Sequence, residues 1–163
     1  MNFINEVILI GCGNIGQALL KAWVSSGIAR KIHVIQPSLS AQKFFAEYPQ
    51  VCFYPDRRSL PLGIKPDAQI LAFKPQQLSE VTLFQYTLNI SLLSGTALDK
   101  FPKRTVRVMP NMGVQVGQGA SLAFGPDSLS ADDRELVDRL FGCTGKIYWI
   151  PSETHQESLT PIS

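Results

Sequence analysis

The chain has 163 residues, 45% of them apolar and 17% charged, enough to bury one core of ordinary domain size. Its formal charge of +2 comes from interspersed acids and bases, with no basic stripe or acidic tail to argue for nucleic acid or a membrane surface as partner. No apolar run approaches the roughly 20 residues of a bilayer span, no cleavable leader is readable, and Cys12, Cys52 and Cys143 form no C-x-x-C pair, so a soluble, cytoplasmic protein with free thiols is expected.

Val7, Ile8, Leu9 and Ile10 form an uninterrupted apolar run, the pattern of a strand buried on both faces of a parallel sheet. Gly11 to Gly16 follow as a turn. Ile15, Ala18, Leu19, Ala22 and Trp23 then recur at helical spacing, with Trp23 on the apolar face and Gly27 as a stop. Further strands are expected over residues 32–35, 51–54, 69–73 and 88–93. The segments between them are helix-like or loop-like: a helix over residues 41–48 capped by Ser38 or Ser40, a helical segment opening at Pro75, and a loop over residues 57–67, where Pro61, Gly63 and Pro66 oppose a helix. Residues 105–109 and 120–124 read as strands. Ser130 with Asp133 marks the start of a helix through Phe141, and residues 146–150 read as a last strand. This alternation predicts an α/β fold of Rossmann type, a doubly wound, mainly parallel sheet with helices on both faces, over residues 1–151.

Gly11-Cys12-Gly13-Asn14-Ile15-Gly16 satisfies G-x-G-x-x-G, and it stands between a strand and a helix, where that pattern has a physical purpose. Gly11 permits the tight turn, Gly13 lets a pyrophosphate approach the backbone, and Gly16 lets the helix pack on the strand. The helix N-terminus offers free N–H groups and a positive dipole end. A nicotinamide dinucleotide is the expected ligand. After the second strand, where an acid usually holds the ribose 2′-hydroxyl of NAD, the chain has Ile35-Gln36-Pro37-Ser38. A neutral loop with Ser38 as donor, assisted by Lys43, accepts the 2′-phosphate of NADP, which a carboxylate would repel, so NADP (NADPH) is preferred over NAD; alternatively Ser38 only caps the next helix.

Lys74, in Phe73-Lys74-Pro75-Gln76, stands at the carboxyl edge of the sheet, facing either the cofactor or solvent. The same ambiguity covers Ser94-Gly95 and Met109-Pro110-Asn111. Cys12 lacks a readable activating partner and is read as a small residue beside the cofactor. His33 and His155 read as structural or solvated, and Arg57 and Arg58 as solvated loop residues, although both arginines could reach a phosphate.

Taken in order, Ile10-Gly11-Cys12-Gly13-Asn14-Ile15-Gly16, Ala72-Phe73-Lys74-Pro75-Gln76, Leu93-Ser94-Gly95, and Arg107-Val108-Met109-Pro110-Asn111 with Val116-Gly117 and Gly119-Ala120 resemble the blocks of pyrroline-5-carboxylate reductase. That resemblance covers nearly the whole chain. It implies the cofactor-binding domain of an NADPH-dependent reductase that delivers hydride to the C=N carbon of a cyclic imine in proline biosynthesis. It also implies Asn14 and Ile15 under the pyrophosphate and nicotinamide end, Ser38 near the 2′-phosphate, Phe73, Lys74 and Pro75 along ribose and nicotinamide, and Asn111 helping to close the pocket. No metal and no catalytic side chain are implied.

The chain departs from the family pattern in three places. Ser59 takes the place of an asparagine that contacts a ribose, and Met112-Gly113 takes the place of Thr-Pro. Residues 152–163 resemble the start of a linker or helix leading to a C-terminal helical domain, which in the family dimerises and completes the imine pocket. Without that domain the expectation is cofactor binding with little turnover, the imine entering only when the pocket is completed, and self-association through uncovered apolar surface. A nucleotide-binding module without activity and a deazaflavin-type NADPH oxidoreductase domain are the alternatives.

Overall fold

A computed structural model describes residues 3–111 and 119–151. Eight strands form one sheet: β1 (Ile4–Ile10), β2 (Ala29–Ile35), β3 (Val51–Tyr54), β4 (Ala68–Leu71), β5 (Leu88–Ser91), β6 (Thr105–Met109), β7 (Gly119–Phe124) and β8 (Gly145–Trp149). Their order is β3-β2-β1-β4-β5-β6-β7-β8. Every neighbouring pair is parallel except β6 and β7. This is the expected doubly wound, mainly parallel Rossmann-type sheet, with β7 and β8 at one edge running opposite to the other six strands. The strand expected over residues 69–73 stops at Leu71 and that expected over 88–93 at Ser91, because both chains turn out of the sheet toward the site described below.

β1 is apolar and buried from Val7 to Ile10 because that part of the strand is central. Val7 and Leu9 point into the larger core, and Ile8 and Ile10 into a second core on the opposite face. Two α-helices, α1 (Asn14–Ser26) and α2 (Ala131–Gly142), cover the first face. α1 buries Leu19, Leu20 and Trp23, and Gly27 ends it in the left-handed conformation, its N–H donating to the Trp23 carbonyl. α2 starts as expected at Ser130, whose Oγ accepts from the Asp133 N–H at 3.0 Å. The Trp23 indole Nε1 donates to the Leu140 carbonyl at 2.8 Å, joining the two helices inside the core.

The opposite face is covered without α-helices among the described residues. Leu60, Ile64, Val81, Leu83, Phe84 and Phe101 pack there from short 3-10 turns and loops. The helix expected over residues 41–48 is instead a 3-10 turn, Leu39–Phe45. It lies between Pro37 and Pro49, too short to offset helix nucleation, and the Ser38 hydroxyl makes no capping bond. The segment opening at Pro75 is likewise a 3-10 turn, Pro75–Glu80, ended by the extended Val81. These thin crossovers leave the carboxyl edge of the sheet open.

His33 is a structural histidine, as expected. It is buried on the second face with Nδ1 3.1 Å from the Tyr54 hydroxyl and Nε2 3.5 Å from Glu6 Oε1. All three cysteines are free. Among the described residues no helix is long and apolar enough to cross a membrane. His155, Met112-Gly113, Val116-Gly117 and the segment 152–163 lie outside the described residues.

Candidate functional site

The strand order reverses at β1, since β2 lies on one side and β4 on the other. Open α/β sheets bind ligands in the crevice that such a reversal leaves at the strand carboxyl ends. Here the crevice is a cleft of about 1320 Å³. Its floor is the glycine turn. The Gly11 N–H donates to the Ile35 carbonyl at 2.9 Å and the Ala72 N–H to the Ile10 carbonyl at 2.8 Å, so the turn is tied to the ends of β2 and β4. Gly11 has φ +94°, and a Cβ there would overlap the Ala72 carbonyl. A Cβ on Gly16 would lie 2.7 Å from the Gly11 carbonyl oxygen, so that glycine lets α1 sit directly above the turn.

Gly13 behaves differently. A Cβ there would meet no atom within 4 Å, and the residue is exposed at the cleft with an ordinary φ of −78°. Folding does not require a glycine at this position; the open backbone suits a ligand that lies against it. α1 begins here with no side-chain cap and no acid in its first turn, leaving its positive end to an anion. A dinucleotide pyrophosphate fits this cradle.

The expected site residues converge, with two exceptions. Gly11, Gly13, Asn14, Ile15, Gly16, Ser38, Phe73 and Lys74 all line the cleft, whereas Pro75 and Asn111 do not. Pro75 opens the 3-10 turn behind Lys74. The Asn111 Oδ1 accepts from the Ala120 N–H of β7 at 3.2 Å. Lys74 is exposed at the rim. Lys43 is absent from the lining, and its ammonium lies 5.2 Å from the Phe44 ring centroid. Ser59 also turns away, its hydroxyl donating to Asp56 Oδ1 at 3.0 Å.

Cys12 lines the cleft but is almost wholly buried, and burial pushes its thiol up to about 11. It is a neutral thiol near pH 7, as its expected role of a small residue requires.

Three further groups at the cleft were noted in the sequence without being assigned to the site. Gln36 stands where an acid would hold the NAD ribose, and its Oε1 accepts from the Cys12 N–H at 3.0 Å. Sequence inspection registers the missing acid but not this bond. The other two are Arg57 and Arg58, both exposed and both on the cleft wall. Among the described residues no cluster of His, Cys, Asp and Glu suits a metal.

Residues 6–84 match a family model described as NADP oxidoreductase, coenzyme F420-dependent. The pyrroline-5-carboxylate reductase of Haemophilus influenzae is 29% identical over 170 residues, covering 96% of this chain and 62% of that protein. That of Pasteurella multocida is 26% identical, covering 95% and 62%. The solved structure of pyrroline-5-carboxylate reductase from Coxiella burnetii superposes with a TM-score of 0.83 at 26% identity, covering 99% of this chain and 64% of that one. The Plasmodium falciparum enzyme with NADP bound gives 0.72 at 21% identity, covering 93% and 59%, a likeness of fold. The chain thus spans about 62% of the length of the two curated relatives, and the alignments cover nearly all of it.

Proposed function

We propose that this chain is the NADPH-binding domain of a reductase of the pyrroline-5-carboxylate type, acting on the C=N bond of a small cyclic imine. One observation supports this above the others: a glycine turn whose only unconstrained glycine, Gly13, faces a cleft bounded by a neutral Gln36 where NAD enzymes keep an acid. When bound, the reduced nicotinamide supplies the hydride. The protein supplies position and field.

Gly13 and the first N–H groups of α1 hold the pyrophosphate. Ser38, free of any capping role, offers its hydroxyl to the phosphate on the adenosine ribose. Asn14, Ile15, Phe73 and Lys74 flank the nicotinamide half, Lys74 contributing positive charge at the rim. Met109 and Pro110, which also line the cleft, bound it on the β6 side. Asn111 and Pro75 act by supporting these walls. Residues 1–151 form the dinucleotide-binding domain, with 152–163 as the start of a connection, and a cytoplasmic setting goes with this reading.

The match of residues 6–84 to an NADP oxidoreductase described as F420-dependent favours a second reading, in which the hydride partner is a deazaflavin. The relatives that align over nearly the whole chain favour the imine.

The test is titration of the purified chain with NADPH and NADH, followed by pyrroline-5-carboxylate in the same cuvette. NADPH binding with oxidation on adding the imine supports the full reading. Binding without oxidation restricts it to the cofactor domain, and oxidation by a deazaflavin alone selects the second reading. If neither nucleotide binds, both readings fall.

A further inference from the structure

The wall between β3 and β4 has a property that the glycine fingerprint does not anticipate. Ile35 and Tyr54 are paired in register at the ends of β2 and β3, and the Gln36 N–H donates to the Tyr54 carbonyl at 2.9 Å. Two loops therefore leave the sheet side by side into the same cleft. One carries Ser38, and the other Arg57 and Arg58.

Several contacts set the second loop in place. Asp56 Oδ1 accepts from both the N–H and the hydroxyl of Ser59 at 3.0 Å, so this carboxylate caps the short turn Arg57–Ser59. Among the described residues neither Arg57 nor Arg58 is paired with an acid. The Arg57 guanidinium lies 4.3 Å from the Phe84 ring centroid. Phe84 is held in turn, because the side chain of fully buried Asn89 donates to its carbonyl at 3.3 Å and accepts from Gln69 Nε2 at 2.6 Å.

We propose that Arg57 and Arg58 select the phosphorylated dinucleotide, gripping the ester phosphate on the adenosine ribose of NADP from the side opposite Ser38. This rests on the dinucleotide reading of the cleft. A guanidinium presents a planar fork that matches phosphate, and stacking on Phe84 orients one such fork before the ligand arrives. The specificity so obtained is local to this loop and independent of the glycine turn, which meets a pyrophosphate common to NAD and NADP.

The experiment measures the affinity of the full chain for NADPH and NADH, and competition by 2′,5′-ADP against 5′-AMP, in the unmodified protein, R57A/R58A and R57K/R58K. The alanine pair is expected to weaken NADPH and 2′,5′-ADP by at least about tenfold and to leave NADH within about twofold, since hydrogen bonds to charged groups contribute on that scale. The lysine pair, which keeps charge and loses the fork, should recover part of the preference and controls for loss of fold. Unchanged NADPH preference in R57A/R58A overturns the proposal while leaving the dinucleotide reading intact. Equal losses for NADPH and NADH also overturn it, by placing the arginines on the shared pyrophosphate. An unmodified chain that binds neither nucleotide removes the dinucleotide reading and this proposal together.

Discussion

The Cys12 N–H donates to Gln36 Oε1 across 3.0 Å, so the residue that follows β2 is tied to the second residue of the glycine turn. The amide oxygen is engaged by this bond, which in the proposed dinucleotide reading leaves the amide NH2 for the adenosine ribose. A carboxylate at the same place would keep the bond to Cys12 but add a charge that repels a ribose phosphate.

Q36E therefore converts the expected cofactor preference with almost no change of shape. NADPH should bind about tenfold more weakly, while NADH is unaffected or improved, the size expected of one uncompensated like charge at the rim of a partly wetted cleft. Fluorescence titration of both nucleotides reads the ratio. A ratio equal to that of the unmodified protein would show that the ribose phosphate lies elsewhere.

Gly11 and Gly13 separate folding from binding. G11A places a Cβ against the Ala72 carbonyl at a positive φ and should lower stability by about 2–4 kcal/mol. G13A has an allowed φ and no neighbour within 4 Å, so its melting temperature should be unchanged or slightly raised, while its methyl group projects into the pyrophosphate cradle and weakens NADPH at least tenfold. Thermal melts and titrations on the two variants should give opposite patterns. Retained NADPH affinity in G13A would remove the cradle from the site.

Much of this was legible because it depends on local chemistry. The apolar run through Ile10 reads as a strand, Gly11 and Gly27 take positive-φ conformations that other residues avoid, and Ser130 announces α2 by a bond it makes three residues away. The 3-10 turns at Leu39–Phe45 and Pro75–Glu80 resemble helix starts in sequence, and only the short path back to the next strand decides against a helix. Within the site, residues beside the glycine turn were readable from the motif. Gln36 was readable only as a missing acid and Arg57 and Arg58 only as solvated residues within reach of a phosphate, because their place in the cleft follows from the pairing of β2 with β3, a contact between distant parts of the chain. Asn111 was placed by its motif, and in the fold its Oδ1 accepts from the Ala120 N–H, a bond the sequence does not show.

The bond from Trp23 Nε1 to the Leu140 carbonyl is the main polar link between α1 and α2, and both side chains are fully buried. W23F removes the donor and part of the ring, leaving a partly unsatisfied carbonyl and a small cavity, for an expected loss of about 2–4 kcal/mol. Urea unfolding with an unchanged m-value would read that loss as stability alone. Because α1 also carries the glycine turn, cofactor affinity in the still-folded variant should change little, and a large loss would mean that helix packing sets the turn geometry.

His33 makes the stability of the sheet depend on pH. Burial lowers its pKa below the ordinary 6.5, with Lys31 acting in the same direction and the hydrogen bond and charge of Glu6 opposing them. Burial also pushes the Tyr54 phenol up to about 12, so the hydroxyl remains a donor to Nδ1 and the neutral ring presents Nε2–H to Glu6. Above pH 6.5 the ring is neutral in both folded and unfolded chains, and its native contacts contribute fully. As pH falls below 6.5 the unfolded chain takes up a proton that the folded chain resists, so stability declines until the lower folded pKa is passed. H33Q should be less stable at pH 7.5 but lose less on acidification to pH 5.5. Every other group is common to both proteins, so the difference between the two melting curves isolates His33. Parallel curves would mean that the imidazole in the sheet takes up its proton as readily as it does in the unfolded chain.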